Sequence, residues 1–159
     1  MSTRSEIYVK IEEADKGKEL SFDFTKIPTH EGRFNYIPPK VKLEGGYIGG
    51  YCHFDGYLSG VGKELFTHYK TYEEALNLVL GGELSQVCDE VVHYYSWRGE
   101  KEDPWERSQP KQLDEEPNEI NQEYLYLFKD GEWYYRSIYD ASTHFKPLSE
   151  HKEEMQIED

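Results

Sequence analysis

Alternating apolar and polar positions organise the start of the chain. In Ser5–Glu12, Ile7, Val9 and Ile11 fall on one side and Glu6, Tyr8 and Lys10 on the other. That two-residue period predicts a half-buried strand. Leu20, Phe22 and Phe24 alternate with Ser21 and Asp23, and the charged turn around Gly17 predicts a β-hairpin between the two runs. Residues 25–45 lose the pattern. Pro28, Gly32, Pro38, Pro39, Gly45 and Gly46 interrupt them, and proline is excluded from a central strand. They read as an ordered loop anchored by Phe34, Tyr36 and Ile37, with a short edge strand at 40–43.

The pattern returns at Tyr47–Phe54, a strand weakened by Gly49 and Gly50, which predict a bulge or a close backbone approach. A helix follows, with Ser59 as its cap and Val61, Leu65 and Tyr69 on its buried side. The sharpest helix signal is 71–80. Thr71 and Glu74 form a capping box, and Tyr72, Ala75, Leu76, Val79 and Leu80 recur at helical spacing. Gly81-Gly82 ends it through a left-handed residue. Leu84 and Val87 predict a short turn, and 87–97 a β-branched and aromatic strand. Residues 99–120 predict a charged, partly mobile connection docked by Trp105. Asp130-Gly131 between 123–129 and 132–137 predicts a hairpin with a type I′ turn. A short helix at 148–155 and a frayed tail at 156–159 close the chain. The sum is one α+β domain over 1–159, with 13–45 an elaborated insertion. It is an antiparallel sheet of about five strands with two or three helices packed on one face.

Composition changes this picture in one respect. Tyrosine supplies 14 of the 159 residues, so the chain holds many rings that bury their bodies and keep a polar tip. Half of those on strands face each way, which leaves a set either for recognition or for cross-strand pairs that stabilise the sheet. Charge changes it further. The formal net charge is −14, which argues against direct nucleic-acid binding, since phosphate contacts need a basic patch. Residues 1–45 carry eight basic and eight acidic side chains, whereas 98–159 carry eight against seventeen. The excess acid therefore lies late in the chain. No apolar run reaches membrane-spanning length. No apolar leader is visible at the N-terminus, and Cys52 and Cys88 fit no zinc spacing. The expectation is a cytoplasmic protein with no cofactor and no metal.

Candidate chemistry centres on the junction after the 47–54 strand. His53 and Asp55 lie two apart, so an unbroken strand puts them on one face. With Arg4, Tyr57, Arg98 and Glu100 they form a candidate ligand site, in which His53 is the base and Asp55 orients it. The competing reading is structural, with Asp55-Gly56 a turn and Asp55 a cap. No G-x-S-x-G elbow, P-loop or G-x-G-x-x-G spacing is present, and no catalytic residue is assigned. The second candidate is a partner surface in the acidic half. It comprises Glu102, Asp103, Asp114, Glu115, Glu116, Glu119, Glu123, Tyr126, Glu132 and Tyr134.

Several motifs occur together in one order. Thr3-Arg4-Ser5 precedes the first strand. His53-Phe54-Asp55-Gly56-Tyr57 is followed by Gly62, His68 and Tyr69. Leu80-Gly81-Gly82-Glu83-Leu84-Ser85, Arg98-Gly99-Glu100 and Asp130-Gly131-Glu132-Trp133 come after it. In these residues the chain resembles a family of small phage- and prophage-encoded proteins with a His-Trp-Asp-Gly-Tyr core. It departs from them at Phe54 and in the 13–45 insertion. The resemblance implies a phage accessory protein acting in the host cytoplasm. With the acidic half, it leads to the expectation of a non-enzymatic inhibitor of a host factor. The factor is a defence nuclease, in the manner of an anti-CRISPR or anti-restriction protein or DNA mimic. The partner is then a host protein with a basic nucleic-acid-binding surface. The alternative is a small nucleotide-ligand binder or enzyme using the His53–Asp55 junction, and an inert virion protein ranks last.

Overall fold

The computed structural model describes residues 3–23, 25–26, 39–88, 91–95, 105–140 and 144–157. Phe34, Tyr36 and Ile37, expected as loop anchors, lie outside the described residues, as do Arg98, Glu100, Glu102 and Asp103.

Strand β1 (Ser5–Lys10) is the axis of the fold. It pairs antiparallel with β4 (Tyr47–Cys52) and parallel with β8 (Tyr124–Lys129). Short β2 (Glu19–Leu20) turns away and pairs with β3 (Val41–Lys42) in a separate two-stranded sheet. The hairpin expected between 5–12 and 19–24 is therefore absent, whereas the edge strand expected at 40–43 is present. Beyond β4 lie β5 (Leu84–Cys88) and β6 (Val91–Tyr94), with β7 (Lys111–Leu113) on the other half of β4's edge. Beyond β8 lie β9 (Glu132–Ser137) and β10 (Lys146–Pro147). The main sheet thus has eight strands in the order β10-β9-β8-β1-β4-β5-β6, with β7 beside β4.

This corrects the expected five-stranded antiparallel sheet. The sheet is mixed, because β1 runs parallel to β8 and β4 parallel to β5. The short turn expected at Leu84 and Val87 is instead part of strand β5, and the strand expected over 87–97 begins three residues earlier. β7 and β10 are too short for a two-residue period to show.

The helices match their local signals more closely. α2 (Tyr72–Leu80) starts on the Thr71–Glu74 capping box, and Gly82 follows it at φ +91°. α1 (Lys63–His68) is preceded by a wide π turn over Leu58–Gly62. Ser59 lies inside that turn and caps nothing; the Asp55 and Tyr57 carbonyls accept from Val61, Gly60 and Gly62 instead. α3 (Trp105–Ser108) is a single turn, and the expected helix at 148–155 begins as one 3-10 turn, Leu148–Glu150. At the β8–β9 turn, Asp130 and Gly131 sit at φ 52° and 78°, as a type I′ turn requires.

α2 packs across β1, β4 and β8. Ile7, Val9, Ile48, Tyr126, Phe128 and Trp133 meet Leu65, Leu76 and Val79 there in one continuous core. Three buried polar tips are matched to backbone carbonyls. Tyr126 donates to Gly56, Trp133 to Tyr69 and Tyr94 to Leu78. On the reverse face Tyr8, Leu125 and Leu127 form a smaller cluster with Tyr47, Leu113, Ile120 and Phe145. No helix among the described residues is long and apolar enough to cross a membrane.

Candidate functional site

The strand–helix junction is built as a joint. β4 ends at Cys52, and the amides of His53 and Phe54 continue its parallel ladder onto Leu84 and Ser85. The chain then turns sharply at Asp55, whose φ is +58°. Gly56 has no room for a side chain, because a Cβ there would lie 2.9 Å from the Ser5 Cβ. The Asp55 carboxylate accepts from the Tyr57 hydroxyl at 3.2 Å and from the Gln86 amide at 3.0 Å. The strand is therefore not continuous through His53 and Asp55, and they do not form the expected pair.

His53 pairs instead with Tyr51. Its Nδ1 and the Tyr51 hydroxyl share a 2.6 Å hydrogen bond, and its ring meets the edge of Phe54 at 4.5 Å. Arg4 is exposed at the start of β1, where its carbonyl accepts from the Glu123 and Tyr124 amides. The Cys52 thiol and the Tyr51 and Tyr57 phenols are not activated as nucleophiles. Burial pushes the Cys52 thiol up to about 12, so it stays protonated at neutral pH. The Asp55 charge and its hydrogen bond hold the Tyr57 phenol above its ordinary value, and burial does the same for Tyr51. Phe54, Tyr57, Ile138 and Tyr139 are the exposed large apolar side chains among the described residues. All sit at this end of the sheet.

The second candidate lies on the reverse face. Here the charged connection is, from Trp105 onward, a succession of anchored pieces. Gln112 grips the chain beside it: its Oε1 accepts from Glu44 and Gly45, and its Nε2 donates to Lys42. The Leu113 carbonyl accepts from Gly46. Pro117 is buried, the Asn118 carbonyl accepts from Arg136 at 2.6 Å, and Glu116 pairs with Lys129 at 2.8 Å. Between these anchors Asp114, Glu115, Glu116 and Glu119 are exposed.

The remaining members scatter. Glu132 accepts from Ser149 at 2.8 Å and lies beside Tyr134, which has the Lys129 ammonium 5.2 Å from its ring centre. Glu123 is at the opposite end of β8, accepting from Tyr139. Tyr126 is completely buried and is withdrawn from the surface set.

Two hollows flank the acidic segment. A cleft of about 430 Å³ opens at the end of β1, lined by charges of both signs with Tyr47 and Tyr72. A smaller cavity of about 280 Å³ lies under the segment itself, and its floor is Glu6, Tyr8 and Leu125. Glu6 falls on the polar side of the β1 alternation, yet it is only 7% exposed. The alternation that placed it opposite Ile7 was visible; the segment that covers it was not. Among the described residues no group of three or more His, Cys, Asp or Glu side chains is arranged to hold a metal ion. Comparison with protein-family models, curated proteins and solved structures gives no match.

Proposed function

We propose that this chain is a non-enzymatic acidic binding protein that occupies a basic, nucleic-acid-handling surface on a partner protein. The observation that carries the reading is the Asp114–Glu119 segment. It holds four exposed carboxylates on a backbone tied down at Gln112, Leu113, Pro117 and Asn118. Charges on an anchored backbone lose little freedom on binding, so more of their attraction reaches the affinity. A row of carboxylates also steers a basic partner and competes with phosphates for it. The junction supports the reading from the other side, because Asp55, Gly56 and Cys52 are engaged in holding the fold. The phage resemblance adds the setting: a host defence nuclease is the target class, with anti-CRISPR or anti-restriction inhibition as the outcome.

The test uses the full chain against a panel of purified defence nucleases. Binding is expected to weaken steeply between about 50 and about 300 mM salt and to be displaced by duplex DNA. The combined Glu115→Gln, Glu116→Gln, Glu119→Gln variant is expected to bind at least about tenfold more weakly. Binding that ignores salt, DNA and this variant would sink the proposal.

A further inference from the structure

The cavity beneath the acidic segment contains a feature that the surface charges do not explain. Glu6 is the second residue of β1, on the reverse face, 7% exposed, at the floor of the cavity. Among the described residues its one partner is the Tyr8 hydroxyl, which donates to Oε2 across 3.3 Å. No lysine, arginine or histidine among the described residues pairs with it. Arg136 is the cation nearest in register, one strand beyond Leu125, and it is turned to the Asn118 carbonyl. Carboxylates in proteins are buried with a cation or a full set of donors, since water is lost to them otherwise. Here the Tyr8 hydroxyl is the one donor and no cation is present among the described residues, so the rest of the carboxylate faces the hollow.

The rest of the lining points to one class of occupant. Glu115, Glu116 and Glu119 stand at the rim, and Tyr8, Leu113, Pro117 and Leu125 supply apolar wall. Carboxylates spread this way do not converge on a metal ion. A carboxylate floor, apolar sides and an acidic mouth instead match a planar, weakly hydrated cation on an apolar stem. We infer that the cavity over Glu6 is a guanidinium pocket that receives an arginine side chain of the partner protein. This rests on the proposed acidic-surface reading and adds to it an anchor residue: the rim attracts a basic surface, and the pocket holds one arginine of it. Buried arginines are frequent anchors of protein interfaces.

The experiment titrates the full chain with arginine amide at fixed ionic strength, following backbone amides by NMR, with citrulline amide as the uncharged control. Saturable shifts are expected in β1 and in residues 115–121 with arginine amide alone. Glu6→Gln keeps an acceptor for Tyr8 and removes the charge, so it is expected to fold and to weaken the probe at least about tenfold. Asn121→Arg puts a guanidinium of the chain's own at the mouth and is expected to abolish saturation, which covers the case that Glu6→Gln does not fold. Equal binding of arginine amide to the native chain and to Glu6→Gln, or equal shifts with citrulline amide, overturns the pocket. A parallel titration with an oligo-lysine peptide separates the two readings. Salt-sensitive oligo-lysine binding without arginine-amide saturation leaves the acidic surface standing and removes the pocket. Arginine-amide saturation without oligo-lysine binding does the reverse.

Discussion

The two faces of the sheet are made from the same strands and are put to different use. Towards the helices, Ile7, Val9, Tyr126 and Phe128 enter a core continuous with α1 and α2, and the polar tips of Tyr126, Trp133 and Tyr94 in it end on carbonyls. One residue along each strand, Glu6, Tyr8, Leu125 and Leu127 face a single layer of irregular chain. A large apolar side chain contributes about 1.5–3 kcal/mol when fully buried, so the continuous core outweighs the three-residue cluster behind it. The helix face carries stability. The reverse face is closed by a segment that hydrogen bonds hold more than packing does, and it keeps a polar hollow.

Neighbouring residues of β8 test that contrast most severely. Phe128→Ala is expected to lower stability by about 3–5 kcal/mol and Leu127→Ala by about 2 kcal/mol, since irregular chain collapses into a void more readily than packed helices do. Urea unfolding measures both. If Leu127→Ala costs as much as Phe128→Ala, the two faces share the load equally. Gly49→Ala comes next, at about 3 kcal/mol or more. Its Cβ would meet the Ile7 carbonyl at 1.9 Å and the Tyr8 ring at 2.7 Å. A native-like melting temperature for that variant would show that β1 and β4 are not in close contact there.

Smaller effects sharpen the picture. Tyr126→Phe removes the donor to the Gly56 carbonyl and is expected to cost about 1–3 kcal/mol, leaving that carbonyl buried and unpaired. Thr71→Ala breaks the capping box and is expected to cost about 1 kcal/mol, with no effect on any ligand of the reverse face. The weakest expected effect is a pH dependence. Its hydrogen bond from Tyr72, then that from Lys18, lowers the Asp15 carboxyl below its ordinary value. A depressed folded-state value adds stability that is present above the unfolded value of about 4 and is lost as pH falls through the lower folded one. The melting-temperature gap between the native chain and Tyr72→Phe should therefore narrow as pH drops below about 4. A gap that stays constant there would mean that the Tyr72 hydroxyl acts through the Glu12 amide, which it accepts from, and not through the Asp15 charge.

Some of this was legible in the residues themselves. The capping box at Thr71 and Glu74, the Asp130-Gly131 turn and the apolar side of β1 are local: each is decided by sterics and hydrogen bonds among residues a few positions apart. The need for Gly49 was legible as a close approach, though not the Tyr8 ring and Ile7 carbonyl that impose it. What distant segments do was not written locally. An alternating strand looks the same whether its polar side meets water or a covering loop, so Glu6 could be placed on a face but not buried. Nor does a strand state its partner. β1 chose β4 and β8 over the nearer β2, which set its parallel pairing and made the sheet mixed. The spacing of His53 and Asp55 implied a shared face only while the strand ran on. The turn at Asp55, held by Tyr57 and Gln86, ended that and gave His53 to Tyr51. Periodicity and caps come from neighbours along the chain, whereas pairing, burial and the cavity over Glu6 come from contacts that exist only once the chain has closed on itself.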